Sequence, residues 1–278
     1  MSKFDRRITP ARADLAAAHL RGTVDAPRYT EGKLHHVNRG RGALRAQPSE
    51  DASLETELLF GEGFSAYEIV DGWAWGQSTQ DQYVGYVRAD ALAENALVAD
   101  CRVTALMTPV FPAADLKQPV RDFLPMNAKV KLEAREGKYA RIGAGAFVFA
   151  GHLAPLSEYA KDWVAVAERF AGVPYVWGGK TAAGMDCSGL IQTALEAGGI
   201  SAPRDTDMQE RALGRAIDSS DIQRGDLVFW KGHMGVMLDA VRLLHANAFH
   251  MEVSIELLAD AVARITDVAG PITSIKRL

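Results

Sequence analysis

The sequence predicts an α+β protein whose β-rich N-terminal half is followed by a C-terminal domain with helices first and antiparallel strands after. Three observations carry this. Short β-branched and aromatic runs, separated by turn residues, fill residues 38–153. Two segments with helical apolar spacing follow, Pro155–Phe170 and Cys187–Ala197, each stopped by glycine. Four short apolar runs then succeed one another at Asp226–Trp230, Met234–Leu238, Val241–His245 and Val253–Ile255. Helices grouped ahead of strands is the α+β pattern.

Residues 1–37 read as an N-terminal helical arm. Pro10–Arg21 is rich in helix formers and stops at Gly22. One such helix is marginal alone, so it is expected to pack on something else. Residues 38–98 carry strand-like runs at Leu58–Glu62, Phe64–Val70, Gly72–Trp75 and Tyr83–Val87, with Asp71-Gly72 and Asp81-Gln82 as turns. Short strands at close spacing suggest a small barrel. The succession Gly-Glu, Gly-Trp and Tyr-Val-Gly-Tyr-Val resembles the bacterial SH3-like module. Residues 99–154 repeat the theme less clearly and are taken as a second, divergent SH3-like barrel, with Cys101 an inert thiol in its first strand. Residues 155–278 form the C-terminal domain.

Composition narrows the function. The chain has 278 residues, 48% hydrophobic and 24% charged, enough for two or three domains. A formal net charge of −4 supplies no basic excess for nucleic acid or an anionic membrane. No apolar run is long enough to span a bilayer. No apolar stretch of signal-peptide type follows the charged N-terminus, so a cytoplasmic location is expected. Two cysteines, Cys101 and Cys187, make no disulfide framework.

Cys187 is the most informative residue. It opens an apolar helical stretch, with Asp186 before it as a helix cap. A thiol is a poor nucleophile until it ionises, and a helix start and a neighbouring imidazolium both favour the thiolate. His233 and His245 each adjoin a strand-like run, twelve positions apart. A three-residue loop at Leu238-Asp239-Ala240 would set them directly opposite each other on one face. His233 would then contact the thiol and His245 would set its tautomer. One cysteine and two histidines leave no fourth ligand nearby, so neither metal nor cofactor is expected.

The motifs Tyr175-Val-Trp-Gly-Gly, Asp186-Cys-Ser-Gly189, Pro203-Arg-Asp-Thr-Asp-Met-Gln209, Arg224-Gly-Asp-Leu-Val-Phe-Trp230, Gly232-His-Met-Gly-Val236 and Leu244-His-Ala246 occur in this order. Together they resemble the NlpC-type cell-wall cysteine peptidases, a circularly permuted papain-like fold. Two SH3-like modules ahead of such a domain resemble the γ-D-glutamyl-L-diamino-acid endopeptidases. The resemblance implies Cys187 as nucleophile, His233 as general base and acid, His245 as the orienting residue, and Tyr175 as a partner of the oxyanion. It implies hydrolysis of a small murein peptide between γ-D-glutamate and lysine or diaminopimelate, in cell-wall recycling.

Some members of that group require a free N-terminal L-alanine, and an ammonium calls for carboxylates. Asp186 and Glu62 are the candidates, with Tyr83 lining the same pocket. Arg204 occupies the family position for binding the D-glutamate carboxylate, and Ser188 would bind substrate backbone. Two other functions fit parts of the pattern: a related cysteine amidase or acyltransferase, and a non-catalytic peptidoglycan-binding protein built on the SH3-like modules.

Overall fold

The computed structural model describes residues 4–143 and 145–278. They divide into two compact units, one ending at Ser157 and one beginning at Glu158.

The N-terminal unit contains a seven-stranded antiparallel sheet. Its spatial order is Leu54–Leu59, Arg41–Arg45, Val84–Arg88, Trp73–Ser78, Gly63–Val70, Lys33–Val37 and Leu92–Glu94. Inward residues such as Val37, Leu44, Leu58, Phe64, Ala74 and Val87 pack into one core. In Gly63–Val70 and Val84–Arg88 buried residues alternate with partly exposed ones, the period-2 pattern of strands.

The N-terminal arm departs from expectation. Its described residues hold no α-helix: Leu15–Ala17 is a strand paired in parallel with Arg28–Thr30, and Ala18–Leu20 is one 3-10 turn. Helix propensity is a weak bias that tertiary contacts override. Here Leu15, Ala16 and Ala17 are all buried, and Arg12 lies over the Trp75 ring and pairs with Glu68. Nor does the arm end at residue 37. Lys33–Val37 pairs with both Gly63–Val70 and Leu92–Glu94, so a boundary after Val37 would cut the sheet. Consecutive histidines at 35 and 36 disguise that strand as polar, although His35 is buried.

Residues 101–155 form three small sheets. One joins Lys129–Val130, Cys101–Val103 and Leu153–Pro155; one joins Met107–Val110 and Asp122–Pro125; one joins Ala134–Glu136, Tyr139–Gly143 and Ala146–Phe149. They share a core that includes Val103, Leu124, Val130 and Val148. Cys101 is a free, buried thiol in that core, and burial pushes its pKa up.

The C-terminal unit begins with α1, Trp163–Glu168, capped by the Asp162 carboxylate on the Ala165 N–H. It is shorter than the apolar spacing from Pro155 suggested, and Pro155 itself is committed to the preceding sheet. Then come α2, Cys187–Ala197, and α3, Thr206–Ala212. A six-stranded antiparallel sheet follows, in the order Arg215–Ala216, Ser274–Arg277, Leu227–Trp230, His233–Met237, Arg242–Asn247 and Glu252–Leu257. The expected strand runs are all present. Helix α4, Leu258–Ala269, was not anticipated; it buries Ala261 and Ile265, at i and i+4, against Val228, Trp230, Met237 and Leu243. The chain then returns to insert Ser274–Arg277 beside Leu227–Trp230. No helix among the described residues is long and apolar enough to cross a membrane.

Candidate active site

Asp186 caps α2, its Oδ1 accepting the Gly189 N–H at 2.7 Å. That start is packed tightly: a Cβ on Gly189 would stand 2.2 Å from the Gly179 carbonyl oxygen, so no other residue fits. Cys187 therefore sits on a rigid helix start, only 7% exposed. Its sulfur lies 3.6 Å from Thr206 Oγ1, at the start of α3. The Met234 backbone N–H also points at it. Among the described residues the sulfur's hydrogen-bond partners are these two groups, not a histidine; Met234 is the residue next to His233.

The histidines do meet. His233 Nε2 is 2.8 Å from His245 Nδ1, and His245 Nε2 is 2.6 Å from Glu256 Oε1. Arg264, on α4, donates to the same Glu256 oxygen. The pairing is not the direct one expected. Val236 faces Leu244 and Met237 faces Leu243, which sets Gly235, not His233, across from His245. The hairpin turns one residue later because the Asp239 carboxylate accepts the N–H groups of Val241 and Arg242. His245 reaches His233 diagonally, which Gly235 permits: a Cβ there would stand 2.9 Å from His245 Cβ.

The electrostatics also differ from expectation. Burial first, and then the Asp186 charge, push the Cys187 pKa up to about 11, against the weaker help of Thr206 and Met234. Burial, reinforced by Arg264, pushes His233 down to about 4. Burial, with His233 next, pushes His245 down to about 2. Both directions favour an uncharged thiol and uncharged imidazoles in the resting protein.

The depressed histidine values have a consequence for stability. In the unfolded chain both rings take up a proton near pH ~6.5, but in the folded chain only far lower. Protons therefore favour the unfolded state, and stability present above about pH 6.5 is lost as pH falls toward about 4. The urea midpoint of the C-terminal unit should drop steadily over that window. The His245→Gln variant should show a shallower fall, by the one proton this ring accounts for. A midpoint independent of pH there contradicts neutral burial of the rings.

Tyr175 lies in a bridge to Met185, beside the helix start. Its pKa is raised by burial and then by the charges of Cys187 and Asp186, so the phenol stays protonated and able to donate.

The residues expected to hold substrate are placed differently. Arg204 is 1% exposed, and its guanidinium is bidentate to Asp186 at 2.7 and 3.0 Å, with Ser188 Oγ at 2.9 Å. It is a buried support of the helix start, its guanidinium taken up by the Asp186 carboxylate rather than open to one from a substrate: a motif position says nothing about which way a long side chain turns. Asp186 also accepts the Gly178 N–H, and Ser188 donates to Asp186. Any contact of these two with substrate would be additional to that structural role. In the N-terminal unit, Tyr83 belongs to the apolar core and is 3% exposed. Glu62 is buried and accepts the Leu59 N–H, closing the turn that precedes Gly63–Val70.

Sequence reasoning missed three site residues: Thr206, Glu256 and Arg264. Thr206 stood inside the quoted Pro203–Gln209 motif and could have been found there. Glu256 and Arg264 belong to a strand end and to the unanticipated α4, and only sheet register brings them to the histidines. Among the described residues no group of three or more His, Cys, Asp or Glu side chains could hold a metal ion.

A thiol on a helix start, next to a strand that opens a chain of two histidines and a carboxylate, is an arrangement suited to acyl transfer through a cysteine. Comparison with known proteins identifies the parts: residues 172–266 match the NlpC/P60 family and residues 44–92 the bacterial dipeptidyl-peptidase SH3 domain. The chain thus carries an NlpC/P60 domain behind a bacterial SH3 domain. It is 30% identical over 145 residues to a gamma-D-glutamyl-L-lysine dipeptidyl-peptidase of Bacillus subtilis, covering 47% of this chain and 49% of that protein. It is 28% identical over 206 residues to the protein of the same name in Bacillus cereus, covering 66% and 61%. The chain thus spans about half to three fifths of these relatives' length. The crystal structure of an NlpC/P60 family protein from Bacillus cereus has the same fold, with a TM-score of 0.75 at 18% identity over 88% of this chain and 99% of that one.

Proposed function

We propose that this chain is a cysteine peptidase that hydrolyses the γ-D-glutamyl–diamino acid bond of small murein peptides bearing a free N-terminal L-alanine. In this reading it acts in the cytoplasm, on fragments recovered from the cell wall. The C-terminal unit is then a permuted papain-like domain, and the sheets of residues 33–94 and 101–155 are two SH3-like barrels. The observation that carries the proposal is the His233–His245 contact, which begins one residue from the amide touching the Cys187 sulfur. The names of the relatives and the dipeptidyl-peptidase type of SH3 domain supply the substrate class.

His233 takes the thiol proton as sulfur attacks the γ-carbonyl, and the oxyanion is held by the Cys187 N–H and the Tyr175 hydroxyl. The C–N bond breaks, the amine leaves with the proton from His233, and water then hydrolyses the thioester. His245 orients His233 throughout.

L-Ala-γ-D-Glu-diaminopimelate and its N-acetylated form test the proposal. The free peptide should release L-Ala-γ-D-Glu, and the acetylated one should react at least about 100-fold more slowly, the loss of one charged contact of roughly 2–3 kcal/mol. Equal cleavage of both removes the free-amine requirement. Transfer of the dipeptide to an added amine in preference to water would instead make the protein an acyltransferase.

A further inference from the structure

We propose that Glu256 is a positioning residue that sets the protonation pattern of both histidines and so directs the basic nitrogen of His233. The inference rests on His233 as the base of the reaction proposed above.

The three side chains descend across neighbouring strands of one sheet. His233 opens His233–Met237, His245 lies in Arg242–Asn247, and Glu256 lies in Glu252–Leu257. Each step is diagonal. The residues directly opposite His245 are Gly235, by the register of Val236 with Leu244, and Ser254. Both are small, so the imidazole leans toward His233 on one side and Glu256 on the other. Arg264 reaches the same carboxylate oxygen from α4.

The proton pattern follows by elimination. Arginine can only donate, so Glu256 Oε1 is an acceptor. At 2.6 Å from that oxygen, His245 Nε2 must carry a hydrogen. Burial keeps this ring neutral, so its Nδ1 carries none and must accept. The group 2.8 Å from it, His233 Nε2, is therefore the donor. His233 is also neutral, which leaves its lone pair on Nδ1. A carboxylate two strands away thus decides which nitrogen of His233 can take a proton.

Without Glu256 the His245 proton is free to move to Nδ1. His233 Nε2 would then have to accept, and the His233 proton would sit on Nδ1, where the base is needed. In Glu256→Ala, kcat should fall at least about tenfold with KM changed less than about twofold, as when a triad histidine is left in the wrong tautomer. In Glu256→Gln the amide oxygen can still accept from His245, so most of the activity should return. The decisive readout is 15N NMR of the histidine rings in the full chain. The wild type and Glu256→Gln should show His233 protonated on Nε2, and Glu256→Ala should show Nδ1–H appearing.

A His233 tautomer unchanged in Glu256→Ala overturns the proposal, whatever happens to activity. So does full wild-type kcat in that variant. If no murein peptide is cleaved even by wild type, the reaction assignment fails on its own, while the tautomer measurement still decides the role of Glu256.

Discussion

Replacing Cys187 with serine should abolish peptide cleavage, lowering kcat by roughly 10³- to 10⁶-fold, the range in which loss of a hydrolase nucleophile falls. A hydroxyl at this position is far harder to deprotonate than the thiol, whose pKa burial has already raised to about 11. His233 would have to remove a more tightly held proton than the thiol's. The fold should survive, because serine is no larger than cysteine and Thr206 Oγ1 remains beside it as a hydrogen-bond partner. Steady-state cleavage and thermal unfolding, measured together, check this. Cleavage within about tenfold of wild type would mean that the reaction does not pass through the sulfur.

The Arg204→Ala variant should lose about 3–5 kcal/mol of stability, the usual cost of removing one partner of a buried ion pair. Arg204 occupies both oxygens of Asp186 and the Ser188 hydroxyl within a nearly solvent-free site. Its loss strands a buried carboxylate, and the same carboxylate caps α2 and so holds Cys187. Stability and activity should therefore fall together, measured as a lower urea midpoint and a lower kcat. A variant that keeps its midpoint and loses only substrate affinity would return Arg204 to the substrate-binding role that its motif position suggests.

These two residues show how unevenly a sequence reveals a site. Cys187 was legible because local signals converge on it: a capping aspartate before it and an apolar helix after it. The strands bearing His233 and His245 were legible as short, continuous apolar runs. The register between them was not. It turns on where the Asp239 carboxylate closes the hairpin, and a shift there changes the partner of His245 from His233 to Gly235. The N-terminal arm failed for a related reason. Its alanines favour a helix locally, but burial beside Arg28–Thr30 makes them a strand.

The order of the motifs, the thiol at the head of α2 and the α+β character follow from neighbours in the chain, since caps, turns and periodicity are local properties. The turning of Arg204 inward, the descent from His233 through His245 to Glu256, and the arrival of Arg264 from α4 were decided only by the folded sheet. Those contacts join residues far apart in sequence, and the geometry that selects them exists only once neighbouring strands have settled their register and burial has set the charge of each group.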